Sequence, residues 1–382
     1  MVENQKPNLR MVAWEVTRNC NLACRHCRAS SKYGAHPDEL TTGECFKLID
    51  EIADHRPIII LTGGEPLLRE DIFEIAEYGK NKGLTMVMAP NGTLLNDENI
   101  RKIMSSGIKR ISVSIDGPDA ASHDDLRQVP GAFKQACEGI GRARKAGLEF
   151  QINTTVTKRN IGLLPQIMKL AKELGAKAHH IFLLVPTGRA KDMFDEELSP
   201  GEYEETLRFL AQEKKRSSLE IKVTCAPHFN RILLQEHSDT AHSLSHKAMV
   251  WPHLAKAISH KAMVWPHLAK AMRGRGCMAG VSFCFISHTG DLQPCGYLEV
   301  KCGNVRDLGF KKAWLESEMF NDLRDWSKYK GKCGICEFKS VCGGCRARAY
   351  AKYKDYLREE PYCTYEPRHS SPLRGEDKGE GK

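Results

Sequence analysis

The sequence lacks any uninterrupted apolar run long enough to span a bilayer, and it lacks an N-terminal signal peptide. We therefore expect no membrane insertion and expect the chain to act in the cytoplasm. It also lacks an RNA-binding signature and a stripe of basic and aromatic residues. The net charge of +9 then fits a polycarboxylate or another acidic small molecule as well as a solvated basic surface, and we expect no nucleic-acid partner.

Cysteine, by contrast, is abundant, with 15 residues in the 382-residue chain. In a long chain without an export signal, such cysteines indicate metal binding rather than disulfides. Cys20, Cys24 and Cys27 follow an apolar run at residues 11–16 with the spacing C-x-x-x-C-x-x-C. Closely spaced thiolates suit a soft metal, and a four-iron cluster needs four ligands. Three cysteines leave one iron open, which predicts a reactive centre rather than a structural one.

Short β-rich runs alternate with helical patterns from residue 11 onward. Strands are predicted near residues 11–16, 57–62, 84–89, 110–115, 150–156 and 181–185. Right-handed crossovers make such a run a parallel α/β sheet covered by helices. Six units are too few for a closed eight-stranded barrel, so we expect a partial (β/α)6 barrel with its active site at the carboxyl ends of the strands. The cysteine loop follows the first strand.

Composition divides the chain into five parts. We predict an N-terminal arm (1–10), the partial barrel (11–218), a connecting segment (219–276), a cysteine-rich domain (277–366) and a disordered polar tail (367–382). The connecting segment contains a duplication, because residues 245–257 recur unchanged as 259–271. Two copies are too few for a solenoid, and we interpret them as an amphipathic surface insert.

Two further motifs carry chemistry. Gly63-Gly64-Glu65-Pro66 follows the second strand, where two glycines permit close approach of a ligand and Glu65 can accept a hydrogen bond from an ammonium. The second motif is a pair of C-x-x-C units followed by one cysteine and preceded by three. Its members are Cys277, Cys284, Cys295, Cys333, Cys336, Cys342, Cys345 and Cys363. The spacing of the pairs fits a zinc ribbon, but zinc does not need eight cysteines.

The cysteine loop resembles that of the radical S-adenosylmethionine (SAM) enzymes, with His26 where an aromatic residue is usual. The resemblance implies that the open iron of a 4Fe-4S cluster is chelated by the amino and carboxylate groups of SAM. It also implies contacts from residues on four strand ends. Gly63, Gly64, Glu65 and Pro66 would hold the SAM amino group, Ser114 and Asp116 would meet its ribose, Arg127 would pair its carboxylate, and Asn91, Asn153 and Thr154 are further candidates.

The cysteine-rich region resembles the auxiliary-cluster (SPASM) domain of some of these enzymes, with Gly290 five residues before Cys295. The resemblance implies one or two auxiliary 4Fe-4S clusters with interleaved ligands. One cluster would take Cys277, Cys284, Cys295 and Cys345, and the other Cys333, Cys336, Cys342 and Cys363. We expect Cys45, Cys137 and Cys225 to be buried thiols.

Runs at residues 13–18, 58–68, 86–93, 151–157, 180–189 and 342–350 resemble heme b synthases of the siroheme-dependent pathway of archaea and sulfate-reducing bacteria. That family implies oxidative decarboxylation of two propionates of iron-coproporphyrin III to vinyl groups, begun by a 5′-deoxyadenosyl radical, with an auxiliary cluster as electron sink. It also implies a low-potential donor of ferredoxin or flavodoxin type. Arg189 and Lys191 are candidates for substrate carboxylates. His179, His180 and His228 are candidate iron ligands, although a structural role is the favoured interpretation of each.

Four alternatives stay open at this point. One is the sister 12,18-didecarboxysiroheme deacetylase, which shares the cysteine loop and the auxiliary domain. A peptide-modifying maturase of the same architecture is the second. A non-catalytic iron–sulfur carrier is the third, and the run Gly63–Pro66 argues against it because a carrier needs no SAM site. A zinc scaffold is the fourth, and it would be colourless.

Overall fold

A computed structural model describes residues 7–236 and 276–368 as an α/β structure. Its strands are β1 (Met11–Thr17), β2 (Ile58–Gly63), β3 (Thr85–Met88), β4 (Ile111–Ser114), β5 (Phe150–Val156), β6 (Ala178–Leu183), β7 (Glu220–Thr224), β8 (Phe283–Ile286) and β9 (Leu292–Gln293). Its helices are α1 (Thr42–Ala53), α2 (Ile72–Asn81), α3 (Asp97–Ser105), α4 (Ala120–Arg127), α5 (Ala132–Lys145), α6 (Leu164–Leu174), α7 (Pro200–Arg216), α8 (Phe310–Glu316), α9 (Glu318–Arg324), α10 (Gly331–Ile335) and α11 (Arg346–Tyr353). Residues 228–236 are also helical.

The strands form one sheet in the order β7-β6-β5-β4-β3-β2-β1-β8-β9. Every neighbouring pair is parallel except β8 and β9. β7 and β9 lie at opposite edges of this order, so the described sheet is open. The prediction of a partial parallel barrel is confirmed. Because β1 through β7 are parallel, their carboxyl ends and the loops that follow them share one edge of the sheet.

The two faces of the sheet differ in burial. Val12, Ile59 and Met86 are register partners on three strands, and none is more than 1% exposed. They belong to the main core beneath α1, α2, α3 and α5. The next register row alternates to the other face, as side chains on a strand must. That row includes Ala13 and Ile60, which stay partly exposed. We call this second face the open face.

Local capping interactions fix the ends of several helices. Thr41 and Glu44 form a reciprocal capping box at the start of α1, and Ser199 and Glu202 form another at α7. Gly175 adopts a left-handed conformation (φ +89°) and ends α6. These interactions satisfy backbone groups that a helix end leaves free.

Three parts of the sheet were not predicted. β6 begins at Ala178, three residues before the predicted start, because residues 178–183 pair with 151–156 of β5. β7 is a seventh strand, within the segment expected only to connect domains. β8 comes from the cysteine-rich region and yet pairs in parallel with β1. The barrel and the cysteine-rich region therefore share one sheet.

Several predictions concern chain segments at the margins of the described residues. The duplicated unit at 245–271 lies outside them, as does the predicted tail from residue 369 onward. Within the predicted N-terminal arm, Leu9 is buried in the main core. Among the described helices, none has both the length and the apolar character needed to cross a bilayer.

Candidate functional site

The three-cysteine loop lies directly after β1, at the carboxyl edge of the sheet. Its backbone is fixed on two sides. The Cys20 N–H donates to the carbonyl of Lys32 at 3.1 Å, and the Arg25 N–H donates to the carbonyl of Leu126 at 2.9 Å. The loop is thus held between its own downstream segment and the end of α4.

The thiols of this loop are largely removed from water. Burial raises the pKa of the Cys20 thiol to about 12 and also raises the pKa of Cys24. A thiolate here needs compensating positive charge, which iron would supply. Hydrogen-bond donors already point at the sulfurs, because the Leu22 N–H lies 3.4 Å from Cys20 Sγ and Arg127 Nη1 lies 3.7 Å from Cys24 Sγ. This donor set fits an iron–sulfur cluster.

Gly63 and Gly64 bring the end of β2 against the cysteine loop. A Cβ at Gly63 would lie 2.1 Å from the carbonyl oxygen of Thr17, and one at Gly64 would lie 2.3 Å from that of Asn19. Such approaches exclude any side chain. The Gly64 N–H donates to the Thr17 carbonyl at 2.7 Å, so the approach is also a hydrogen-bonded contact.

Glu65 is fully buried beside this contact. Its carboxylate oxygens accept from the N–H groups of Leu67 (3.1 Å) and Asn91 (2.6 Å). Burial raises the pKa of Glu65 to about 7, despite these two donors. The Asn91 amide in turn donates to Asn21 of the cysteine loop at 2.8 Å. Glu65 and Asn91 therefore connect the ends of β2 and β3 to the loop.

Asp116 and Arg127 form a buried ion pair, with Arg127 Nη2 2.5 Å from Asp116 Oδ2. His26 Nε2 lies 3.4 Å from the same carboxylate, whose other oxygen accepts from the Thr155 N–H at 2.8 Å. Burial raises the pKa of Asp116, but Arg127, His26 and His123 outweigh it and hold the pKa below its usual value. Burial also lowers the pKa of His26 to about 4, so this imidazole is neutral. The sequence placed Asp116 and Arg127 as separate SAM contacts, whereas the structure pairs them with each other.

Several buried polar atoms around the cysteine loop have no hydrogen-bond partner among the described residues. They are His26 Nδ1, Ser31 Oγ, Arg127 Nε and Arg189 Nη2. Unpaired buried polar atoms are costly, and they are expected where a ligand completes the site. The Ser31 hydroxyl and the two guanidinium groups, of Arg127 and Arg189, can donate to a carboxylate or to sulfide. Their arrangement around three thiols fits a cluster with an anionic group of SAM beside it.

The other sequence candidates on the strands lie on different faces. Ser114, Asn153, His180 and Lys222 are successive register partners on four strands and share the open face. Thr154 lies on the covered face, where its hydroxyl contacts the Ile115 carbonyl (2.6 Å) and His179 Nε2 (2.8 Å). Thr154 and His179 are therefore structural, and of the two strand histidines only His180 is on the open face.

Arg189 and Lys191, the predicted contacts for substrate carboxylates, both have partners within the protein. Arg189 donates through Nε to the Cys24 carbonyl and through Nη1 to the Ser31 carbonyl, each at 2.7 Å. It thus clamps the cysteine loop, at a residue for which the sequence predicted a substrate contact. Lys191 is exposed and pairs with Glu299 at 3.3 Å.

A second cysteine group lines a pocket in the cysteine-rich region. Its lining includes all four cysteines that the sequence grouped together, namely Cys333, Cys336, Cys342 and Cys363. The N–H groups of Gly344 and Glu360 donate to the sulfurs of Cys342 and Cys333, both at 3.4 Å. His228 and Arg231 also line the pocket. Four thiols with N–H donors directed at two of them fit one iron–sulfur cluster.

The third group differs from the predicted ligand set. Cys295 and Cys345 interact electrostatically with each other and with Cys277, as predicted. Cys284 does not join them, because it lies on β8 with its side chain in the main core and is 0% exposed. It interacts electrostatically with Arg324 and Cys302 instead. Cys225, predicted to be an isolated thiol, interacts instead with Cys345, Cys295 and Cys277.

Two fully buried arginines next to these cysteines were not singled out from the sequence. Arg346 Nη2 lies 3.6 Å from Cys333 Sγ, and Arg348 Nη1 lies 3.1 Å from the Cys225 carbonyl and 3.4 Å from Glu360. Both are at most 1% exposed. Buried guanidinium groups need anionic partners, and cluster thiolates would supply them. Arg346 directly follows Cys345 and Arg348 comes three residues after it, and this proximity was the available sequence signal.

No three His, Cys, Asp or Glu side chains converge closely enough to hold a single metal ion within residues 7–236 and 276–368. In a four-iron cluster each thiolate binds a different iron, so its ligands need not converge on one point.

Comparison with known proteins adds three kinds of similarity. The family model described as the Radical SAM superfamily matches residues 14–171, and the one described as an iron-sulfur cluster-binding (SPASM) domain matches residues 277–345. The AdoMet-dependent heme synthase of Nitratidesulfovibrio vulgaris is 48% identical over 374 residues, covering 98% of this chain and 97% of that protein. The Fe-coproporphyrin III synthase of Methanosarcina barkeri is 28% identical over 379 residues, covering 94% and 88%.

Among solved structures, Streptococcus suis SuiB bound to S-adenosylmethionine superimposes with a TM-score of 0.69. The match covers 94% of this chain and 78% of SuiB at 14% identity, and it shows a shared fold.

Proposed function

The chain belongs to the radical SAM superfamily with a SPASM domain and, within it, to the AdoMet-dependent heme synthases, and on this premise we propose that it converts iron-coproporphyrin III to heme b. Such chains bind a 4Fe-4S cluster with SAM in the radical SAM domain and auxiliary iron–sulfur clusters in the SPASM domain. We assign the first function to residues 11–218 and the second to residues 277–366.

One observation carries the choice of reaction. Identity to a heme synthase is 48% across both domains, whereas identity to the Fe-coproporphyrin III synthase is 28%. The higher value extends over 98% of the chain, including the cysteine-rich region. The higher identity therefore favours heme synthesis over the reaction of the sister deacetylase.

The proposed reaction removes one hydrogen atom and one carboxyl group from each of two propionates. Each propionate becomes a vinyl group on the porphyrin, carbon dioxide leaves, and one electron per propionate passes to an acceptor. The reduced cluster with SAM supplies, when bound, the means to take hydrogen from an unactivated carbon. An electron donor of low potential, of the ferredoxin or flavodoxin type, is part of this proposal.

In this proposal the residues of the chain bind the cluster and SAM, orient them and exclude water. Cys20, Cys24 and Cys27 hold the cluster, while Gly63 and Gly64 allow SAM to approach the backbone. Glu65 accepts from the SAM amino group. Arg127 keeps Nε available for its carboxylate, because only the Nη groups are engaged by Asp116 and Cys24.

We place the porphyrin on the open face, next to the row Ser114, Asn153, His180 and Lys222. Lys222 offers a cation to a substrate carboxylate. His180 has Nε2 buried and without a hydrogen-bond partner among the described residues, so it is the histidine best placed to meet the porphyrin iron. Ser114 is the last residue of β4, so this member of the row lies at the carboxyl edge of the sheet, where the cysteine loop follows β1.

The test is an anaerobic incubation of the reconstituted protein with dithionite, SAM and iron-coproporphyrin III, followed by mass spectrometry. Two successive losses of a carboxyl group, each accompanied by 5′-deoxyadenosine, are expected. Cys24→Ala should abolish both products. Cys137→Ala is the matched control, since this half-buried cysteine on α5 belongs to none of the cysteine groups and should leave both products unchanged.

The outcomes separate the parts of the proposal. 5′-Deoxyadenosine without any change in the porphyrin would keep the SAM chemistry and refute the substrate. Brown protein that yields neither product would point to an iron–sulfur carrier.

A further inference from the structure

We propose that Cys225 is the fourth ligand of the auxiliary cluster held by Cys277, Cys295 and Cys345, in the place that sequence spacing gives to Cys284. This assignment concerns cluster ligation alone and does not depend on the identity of the substrate. It puts one ligand outside the SPASM match at residues 277–345.

Cys225 directly follows β7, where the backbone turns sharply. Its φ is +61°, a left-handed conformation that is uncommon for a residue with a side chain. Two donors hold its carbonyl oxygen, with Tyr203 Oη at 2.7 Å and Arg348 Nη1 at 3.1 Å. Tyr203 and Arg348 are themselves buried and 3.1 Å apart. A strained turn fixed by buried partners is a feature of functional sites, because the surroundings determine where the side chain points.

The turn faces the other three cysteines. Cys225 packs in one apolar cluster with Cys295 and Cys345, and its thiol interacts electrostatically with those two and with Cys277. Cys277 is brought there by backbone contacts, since its N–H donates to the Cys342 carbonyl at 3.0 Å.

Gly276 shows how close the two segments come. A Cβ at this position would lie 2.7 Å from the carbonyl oxygen of Pro227, two residues after Cys225, and 2.9 Å from that of Cys342. The segment that begins the cysteine-rich region therefore passes directly between the turn after β7 and the second C-x-x-C unit.

Cys284 is held away from this group by the sheet. It is the register partner of Val12 in the pairing of β8 with β1, so it shares the covered face with Val12. Both residues belong to the main core. Turning Cys284 towards the other face would require a one-residue slip of β8, which would move every side chain of the strand to the opposite face.

The chemistry of the site is balanced without a redox step. Each of the four thiols releases a proton as its sulfur binds one iron of the cluster. The positive charge of Arg348, beside the Cys225 carbonyl and fully buried, offsets part of the thiolate charge. The cluster would join β7 of the barrel to the cysteine-rich region.

The experiment starts from a chain in which Cys20, Cys24 and Cys27 are replaced by Ala, so that only auxiliary clusters remain. Cys225→Ala and Cys277→Ala are then compared in this background after anaerobic reconstitution. Iron, sulfide and the EPR spectrum of the reduced protein are measured. The two variants should lose iron and sulfide in equal amounts, up to about four of each per chain, and change the EPR spectrum in the same way.

Cys284→Ala is the matched control. It removes a buried thiol of the same region and should keep the iron content and EPR spectrum of the background. The proposal is overturned if Cys225→Ala keeps them while Cys284→Ala loses them.

A second variant covers the case in which Cys225→Ala does not fold. Cys225→Ser provides an oxygen ligand in place of sulfur. The Mössbauer spectrum of the iron-57-loaded protein should then show one iron of the cluster with a raised isomer shift. A spectrum identical to that of the background would overturn the assignment.

Discussion

Replacing Arg189 by Met separates two roles for this residue, a clamp on the cysteine loop and a contact to a substrate carboxylate. The structure gives Arg189 two side-chain hydrogen bonds to the loop, to the carbonyls of Cys24 and Ser31, both at 2.7 Å. Its backbone N–H donates to the Cys27 carbonyl at 3.0 Å, and that bond survives the substitution. Met keeps the bulk of the side chain and removes both side-chain bonds.

The size of the effect follows from these two bonds. A hydrogen bond with a charged partner contributes about 1.5–3 kcal/mol, and the lower end applies because the side chain is only partly buried. Two bonds then amount to about 3 kcal/mol, or about a hundredfold in the equilibrium between a closed and a released loop. Cluster loss that proceeds through loop release should therefore be faster by up to about a hundredfold.

The assay follows the cluster with the open iron during incubation with an iron chelator. Only this cluster changes its EPR spectrum when SAM is added, so the SAM-dependent signal reports it apart from the auxiliary clusters. Arg189→Met should lose this signal faster than the parent protein. Lys191→Met is the matched control, because Lys191 makes one exposed ion pair with Glu299 and contributes less than about 1 kcal/mol.

The opposite pattern would refute the clamp. If Arg189→Met keeps the parent rate of signal loss and instead raises the KM for iron-coproporphyrin III, Arg189 contacts the substrate. The backbone bonds of the loop would then suffice to hold the cluster.

Three further predictions concern neighbouring positions. Burial raises the pKa of Glu65 to about 7, so its carboxylate forms as the pH rises through that value. SAM binding, measured by equilibrium dialysis, should therefore be about tenfold tighter at about pH 8 than at about pH 6. Glu65→Gln should remove this pH dependence, and pH-independent binding by the parent protein would contradict the prediction. Glu15→Gln removes a buried carboxylate that pairs with two arginines, and it should destabilise the protein by about 3–5 kcal/mol. Its thermal midpoint should fall well below that of the exposed-pair control Glu98→Gln, and equal midpoints would refute the reasoning. Gly64→Ala would place a Cβ 2.3 Å from a backbone oxygen of the cysteine loop and should abolish the SAM-dependent EPR change, while Gly43→Ala, which meets open space, should preserve it.

Much of the fold can be predicted from local sequence patterns. β5 has the predicted bounds, because its apolar residues alternate along the strand. α6 ends at Gly175, a terminal glycine that can be read directly from the sequence. The early start of β6 was not visible in this way, since it includes the polar residues His179 and His180. Those residues are strand because β5 supplies their hydrogen-bond partners. β7 was not predicted for a related reason. Ile221 is its one fully buried residue, so the strand has little apolar pattern, and β7 is held in the sheet by its pairing with β6.

The cysteine groups show what spacing can and cannot predict. Cys333, Cys336, Cys342 and Cys363 line one pocket. Gly343 and Gly344, the two residues between Cys342 and Cys345, are both left-handed. Cys284 has a plausible spacing but lies on a strand, where alternation decides which way it points. Cys225 has no nearby motif, because it reaches the other cysteines through the pairing of β7 with β6 and through buried contacts from Tyr203 and Arg348.

The pairing of β1 with β8 also determines how the SAM site is positioned against the auxiliary site. The two strands are adjacent and parallel, and β9 returns antiparallel along β8 to the turn that carries Cys295 and Gly296. Arg28 joins them, since it forms an ion pair with Glu15 of β1, lies over the ring of Phe285 of β8 at 4.4 Å and donates to the Gly296 carbonyl at 3.4 Å. Glu15 also accepts from His288, after β8, at 2.9 Å. The separation of the two sites is therefore set by strand hydrogen bonds and one buried charge cluster, and substitutions that disturb this pairing should affect both sites together.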